Sequence, residues 1–171
     1  ARYLEGATAE ANYMTKLKAT DEESTGVTLA GIDPVAENDL TNISKFIIEG
    51  EYLTPEDYDK ILVGSFFLKR YTPIEAPGFT ALTGVPIGSK IRITVAGITR
   101  EFTVKGILKS KVDEVSAKMF IVDKQMRSII GRTDQNVDDI AIKLKPGIDP
   151  NVFKESLKRT GFDKYAKLQT F

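Results

Sequence analysis

Two segments of strict alternation, Ile91-Arg-Ile-Thr-Val95 and Arg100-Glu-Phe-Thr-Val-Lys-Gly-Ile-Leu108, constrain this chain more than anything else in it. Successive side chains on a strand point to opposite faces, so each segment offers one apolar face. Gly97 lies between them, and glycine at the first central position favours a two-residue primed turn. With Gly97-Ile98 as that turn, Ile93 falls opposite Phe102 and Ile91 opposite Val104. A β-hairpin with one apolar face follows, and it needs further strands or helices to cover it.

Other segments supply that cover. Ile61-Leu-Val63 and Met119-Phe-Ile-Val122 are short continuous apolar runs, as expected of strands buried on both faces. Val27-Thr-Leu-Ala30 reads as a third, after a turn over Asp21–Gly26. Gly31-Ile-Asp-Pro34 recurs as Gly147-Ile-Asp-Pro150, each time after an alternating segment (Val27–Ala30, then Ile140-Ala-Ile-Lys-Leu144). Asp as N-cap with Pro in the first helical position explains the tetrapeptide, since the carboxylate accepts orphan amide protons and Pro lacks one. The second helix should bury Phe153 and Leu157 and end at Gly161, with Phe162 touching Leu157. Leu53-Thr-Pro-Glu-Asp57 reads as another helix start capped by Thr54. Phe66, Phe67 and Tyr71 are placed on a short helix after Gly64. Asp123 should cap a helix that buries Met126, Ile129 and Ile130 and stops at Gly131. Ala7, Ala11, Met14 and Leu17 are spaced for a weak amphipathic helix, with an extended arm as the alternative.

Function classes fall away quickly. The 171 residues contain no cysteine and no histidine. Disulfides, thiol nucleophiles, most zinc sites and the usual general base go with them. No cofactor is expected. Formal net charge is zero, with −5 over residues 1–50 and +4 over 101–171. A balanced total argues against a dedicated nucleic-acid binder. No apolar run approaches the roughly 18 residues of a membrane span, and the opening on Ala1 suggests an excised or processed piece.

Candidate constellations are weak. Gly84-Val-Pro-Ile-Gly-Ser-Lys90 is one residue short of a phosphate loop, has Ser and Lys reversed, and precedes a strand. It reads as a turn. Acidic clusters at Asp21–Glu23, Glu56–Asp59, Asp113-Glu114 and Asp138-Asp139 match no calcium loop and sit where turns take carboxylates. Lys105, Lys109, Lys111 and Lys118 lack interleaved aromatics, so lysines guarding an exposed strand edge explain them better than a nucleic-acid surface. Ser65, Ser89 and Ser128 lie in no nucleophile elbow.

The order of the short signatures carries more than any one of them. Gly31-Ile-Asp-Pro34 is followed by Ile48-Glu-Gly50 with Leu53, then Ile61-Leu-Val-Gly64. Gly84-Val-Pro-Ile-Gly88 then turns into the hairpin that closes on Phe102-Thr-Val-Lys-Gly-Ile-Leu108, before Met119-Phe-Ile-Val122. This series resembles the extracytoplasmic (periplasmic) core domain of MacB/FtsX-type ABC-transporter permeases, over roughly residues 27–160. The resemblance implies an α+β fold of two lobes. A porter-like βαβ lobe would form from residues 1–40 and 112–171, with a β-rich lobe inserted over 41–111. It also implies a full-length protein in the cell membrane with four membrane helices, this domain lying outside between the first two. Residues near 1–10 and 165–171 would then lie together on the membrane-facing side. Implied partners are an ATPase subunit or domain, a second permease copy, and an extracytoplasmic protein or lipid or peptide substrate. Nucleic acid is not among them.

The main functional expectation is thus a non-catalytic domain that relays ATP-driven motion. The alternatives are a small hydrolase using carboxylates or a Ser–Lys pair, and a ligand- or nucleic-acid-binding module using the hairpin. Ile91, Ile93, Phe102, Val104, Phe120, Val122, Ile129 and Ile142 should face inward. Phe79, with Pro77 and Leu82 on the proline-stiffened 72–84 loop, is the candidate partner contact, because aromatics dominate interfaces and stiff loops lose little entropy on binding. The competing reading makes Phe79 a plug for its own lobe.

Overall fold

The structure, a computed structural model, describes residues 2–11, 24–72, 79–95, 97–134 and 140–170, the first of these and residues 24–25 by backbone alone. Seven strands form one mixed sheet: β1 (Arg2–Ala11), β2 (Ser24–Ile32), β3 (Ile47–Gly50), β4 (Lys60–Gly64), β5 (Lys90–Val95), β6 (Ile98–Leu108) and β7 (Lys118–Val122). Their order is β3-β6-β4-β7-β2-β1-β5, and β5 also pairs with β6. The six strands β6-β4-β7-β2-β1-β5 therefore close into a ring, with β3 appended to β6. The sheet runs continuously across the boundaries near residues 40 and 111 expected from the sequence. Ala1–Ile140 form one compact unit and Ala141–Phe171 a second.

The hairpin forms, but with its register moved by two. Ile91 faces Phe102, Ile93 faces Arg100 and Val95 faces Ile98. Gly97, at φ 76°, therefore occupies the second central position of the turn. Positive φ is required there as readily as at the first, in other turn types. An even shift keeps every side chain on its own face, so Ile91, Ile93, Val95, Phe102 and Val104 are all buried as expected. Only the tip changes, where Ile98 and Arg100 reach the surface.

Alternation along the strands yields two apolar layers. One holds Leu29 of β2, Ile61 and Val63 of β4, Met119 and Ile121 of β7 and the hairpin's inner face. Met126 and Ile129 of α3 (Asp123–Ile129) join it. The opposite face presents Ala30, Ile32, Leu62, Phe120 and Leu108, covered by Ile43 and Leu53. β4 and β7 are buried on both sides, which accounts for their unbroken apolar runs. Each such Leu or Ile contributes about 1.5–3 kcal/mol by leaving water.

Both Gly-Ile-Asp-Pro copies start helices as the capping argument requires. Asp33 accepts from the Val35 and Ala36 amides at 3.0 and 3.1 Å, opening α1 (Pro34–Thr41). Asp149 accepts from the Asn151 amide at 2.7 Å, opening α4 (Pro150–Arg159). The Gly161 amide then donates to the Lys158 carbonyl at 2.8 Å with φ 81° at Gly161, as an αL stop demands.

Several expectations are corrected. Of the two readings of the first residues, residues 2–11 take the extended one as a strand, and residues 12–23 lie outside the described part. Ser24–Gly26 belong to β2, not to a turn. Residues 140–144 form no strand, because no described neighbour pairs with them, and Ile142 is 56% exposed rather than inward. No helix starts at Thr54. Pro55-Glu56 form a turn, and Asp59 at φ 58° breaks any helical continuation. Asp123 is the first residue of α3 rather than its cap. Its carboxylate takes the Arg127 Nε at 2.6 Å, and Val122 is the N-cap. Of the aromatics expected on one helix, Phe66 and Phe67 share a single 3-10 turn (Ser65–Phe67), and Tyr71 lies beyond it. α2 (Asp113–Ser116) is a single turn that leads into β7.

Gly64 marks a close backbone approach at an ordinary backbone conformation. A Cβ there would run into the Ser116 carbonyl and lie 2.5 Å from that of Lys118, both main chain and unable to yield. Gly26 has open space around it and no positive φ. Gly64→Ala is therefore expected to cost about 2–4 kcal/mol of unfolding free energy, whereas Gly26→Ala should be neutral or slightly stabilising. Urea denaturation of both variants checks the contrast. Equal effects would contradict the packing at Gly64.

Candidate partner-contact surface

β4 ends at Gly64 and drops into the 3-10 turn Ser65–Phe67. Two consecutive aromatics on such a turn cannot both face the core. Phe67 points in and is buried, while Phe66 remains 41% exposed. Phe79 returns to the same place, its ring centroid 4.8 Å from Phe66 and 6.2 Å from Phe67. The Phe66 and Phe67 rings themselves meet edge to face at 6.0 Å. Phe79 is half-buried, with one side against the core and the other beside exposed Phe66.

Leu82 secures the returning strand of the loop. Its side chain is buried, its amide donates to the Phe67 carbonyl at 2.7 Å, and its carbonyl accepts from Lys69 at 3.1 Å. Of the three residues expected to make contact, Leu82 thus lies beneath the surface, Phe79 at it, and Pro77 outside the described residues. Phe66 was missed. Its signal was the Phe66-Phe67 doublet, which on a tight turn must expose one ring.

An ionic anchor holds the base of this loop. The Arg70 guanidinium makes a two-pronged contact with Glu49 on β3, at 3.1 and 3.0 Å, and also donates to the Val85 carbonyl at 3.0 Å. The Tyr71 hydroxyl donates to the same Glu49 carboxylate. The Tyr71 hydroxyl and then Arg70 hold the Glu49 carboxyl below its ordinary value, against the opposing effect of burial. Glu49 in turn raises the Tyr71 phenol above its own. The Lys109 ammonium lies 5.6 Å from the Tyr71 ring centroid, within cation–π range. The aromatic pair is thereby tied to a sheet strand.

Several other charged groups are spent on structure. Asp57 caps no helix but closes the turn from Thr54, accepting from the Thr54 amide and hydroxyl at 2.6 and 3.0 Å. Lys105 meets the same carboxylate at 2.5 Å, both side chains being mostly buried. Burial opposes the charge on Asp57, but Lys105 and Thr54 outweigh it and hold the carboxyl below its ordinary value. Gln125 on α3 donates to the Asp59 carboxylate and accepts from its amide, at 2.7 and 3.1 Å.

The four lysines read as an edge guard are dispersed. Lys118 pairs with Glu114 at 2.8 Å, and β6, which carries Lys105, is no edge, being flanked by β4 on one side and by β5 and β3 on the other. Ser89 donates to the Pro86 carbonyl at 2.7 Å within the turn that the Gly84–Lys90 segment makes. An open groove of about 580 Å³ is lined by Gly50, Glu51, Lys60, Ile87, Gly88, Thr103, Val104 and Lys105, the last committed to Asp57. Among the described residues no group of three or more acidic side chains is placed to hold a metal ion.

A family description, MacB-like periplasmic core domain, matches residues 1–160, and the chain belongs to that family. It is accordingly an extracytoplasmic domain of an ABC-transporter permease, a class whose core domains are generally non-catalytic. No curated protein matches the chain. Among the described residues no helix is long and apolar enough to cross a membrane.

The Asp57–Lys105 pair has a defined pH signature. A carboxyl held below its ordinary value of 3.8 contributes stability that is fully present above that value and is lost as pH falls through the depressed one. Asp57→Asn should lower stability at pH 7 by about 2 kcal/mol. The gap to the parent chain should narrow as the pH approaches 3, read by urea unfolding. A gap that stays constant with pH would contradict the assignment.

Proposed function

We propose that this domain relays the motion driven by ATP hydrolysis in the transporter's ATPase subunit or domain to a partner outside the membrane, without catalysing a reaction itself. The observation that carries the reading is the Phe66–Phe79 pair, two adjoining rings at the surface of a loop fixed from below by Leu82 and from the side by the Glu49–Arg70–Tyr71 anchor. A relay has to transmit displacement without deforming. A contact held to β3 and β4 moves with the sheet, and its ordering entropy is already lost before binding. Exposed aromatics with a well-packed underside are the usual anchors of protein contacts.

The contact's occupant, on this reading, is an extracytoplasmic protein or a lipid or peptide substrate, with a second permease copy as the other face of the transporter. The full-length protein would sit in the cell membrane with this domain between its first two membrane helices. The lobe division, 41–111 inserted between 1–40 and 112–171, belongs to the same proposal.

Phe66→Ala in the full-length permease is the direct test. Phe66 is partly exposed, so the domain should keep its thermal midpoint to within a few degrees, a loss of under about 1 kcal/mol. Transport should fall while ATP hydrolysis continues, because the step lost is coupling. Phe79→Ala should give the same phenotype with a larger loss of stability. A stable Phe66→Ala permease that transports at the parent rate would overturn the proposal.

A further inference from the structure

Lys109 and Lys111 leave the end of β6 with no carboxylate to meet. Both are exposed, and among the described residues neither makes an ion pair. They flank Ser110, whose amide donates to the Ser116 hydroxyl at 2.9 Å and whose carbonyl accepts from it at 3.2 Å. The Ser116 carbonyl in turn lies against Gly64, the residue before the turn that carries Phe66 and Phe67. The lysine loop is therefore fastened beside the aromatic surface. Lys109 is also held from the ring side, its ammonium 5.6 Å from the Tyr71 centroid. Thr72, next to Tyr71, returns to Ser65, next to Phe66, its hydroxyl donating to the Ser65 carbonyl at 3.4 Å. Rings and lysines thus belong to one patch.

The patch carries charge of one sign. Its described segments, 65–72, 79–83 and 109–112, contain Lys69, Arg70, Lys109 and Lys111 and no carboxylate. Glu49 reaches in from β3, but Arg70 takes both of its oxygens. Next along the chain, Glu114 is paired with Lys118 at 2.8 Å, which leaves Asp113 to set against Lys109 and Lys111. An aromatic centre bordered by uncompensated cations steers an oppositely charged partner and fixes its register. The form of the rings favours protein over lipid. Phe79 is half-buried with Phe66 laid against it, so the two make a facet, whereas entry among acyl chains calls for a projecting apolar strip.

We infer that the partner received at the Phe66–Phe79 surface is an acidic protein segment, which lays an apolar side chain across the two rings and brings carboxylates to Lys109 and Lys111. The inference rests on the partner contact proposed at Phe66 and names the chemistry of its occupant.

Fluorescence anisotropy with the 171-residue chain and two short labelled peptides tests it. One peptide sets a phenylalanine and a leucine among glutamates, and the other sets the same pair among lysines. The glutamate peptide should bind, more weakly as salt is raised, and the lysine peptide should not. The double variant Lys109→Gln, Lys111→Gln alters only exposed side chains, so its thermal midpoint should hold. It should bind the glutamate peptide roughly tenfold more weakly, and Phe66→Ala should weaken the same binding. Absence of binding, equal binding of the two peptides, or binding untouched by either variant would overturn the inference. Sedimentation with phosphatidylglycerol vesicles that needs Lys109 and Lys111, without peptide binding, would assign the patch to lipid and overturn it equally. Failure here is distinct from failure of the contact itself. If Phe66→Ala uncouples the full-length permease while the glutamate peptide does not bind, the contact stands and its acidic occupant falls.

Discussion

The structure depends on β6, an eleven-residue strand whose second half, from Thr103 to Leu108, has neighbours on both edges. On one side its first half pairs with β5 and its second half with β3; on the other it runs parallel to β4. The change of partner on the first side is bridged without a gap in hydrogen bonding. The Val104 carbonyl accepts from Gly88, the Val104 amide donates to Ser89, and the Lys105 carbonyl accepts from Glu51, at 2.8, 2.8 and 3.0 Å. A buried strand that left these groups unpaired would lose their desolvation cost outright. Because β6 satisfies them, segments far apart in the chain, 47–51, 60–64 and 88–95, are fixed relative to one another.

That fixation is what gives the aromatic surface its meaning. Glu49, which anchors Arg70 and Tyr71, stands on β3, and Phe66 and Phe67 follow directly from β4. The anchor and the rings hang from the two strands that flank β6. The Asp57–Lys105 pair ties the segment entering β4 back onto β6 itself. A contact surface built this way is fastened to the sheet, which is what the proposed relay would require of it.

Much of this was legible in the residues, for definite reasons. The hairpin's faces follow from alternation, and an even register error cannot disturb them. Its turn was not legible, because a lone glycine serves the first or the second central position equally well. The Asp-Pro caps were readable because they use only local atoms. β1 was ambiguous because Ala7 and Ala11 are four apart, which is both two strand periods and about one helical turn. Thr54 and Asp57 misled for a related reason. The same side-chain bond to an amide three residues away closes a helix cap or a turn, and the choice fell to Asp59 and to Lys105, distant in sequence. Alternation at Ile140–Leu144 promised a strand that has no described neighbour to pair with. Phe66 required knowing which of two adjacent rings the core accepts, and only the placement of Leu68 and Leu82 decides that.

Amide hydrogen exchange on the folded chain tests most directly whether the contact loop and the ring are one rigid body. The Leu82 and Lys69 amides, which bond to Phe67 and Leu82, should exchange as slowly as those of Phe102 and Val104, through the same global opening. Exchange of Leu82 and Lys69 faster than β6 by orders of magnitude would mean that the loop opens on its own, and the relay account would be contradicted.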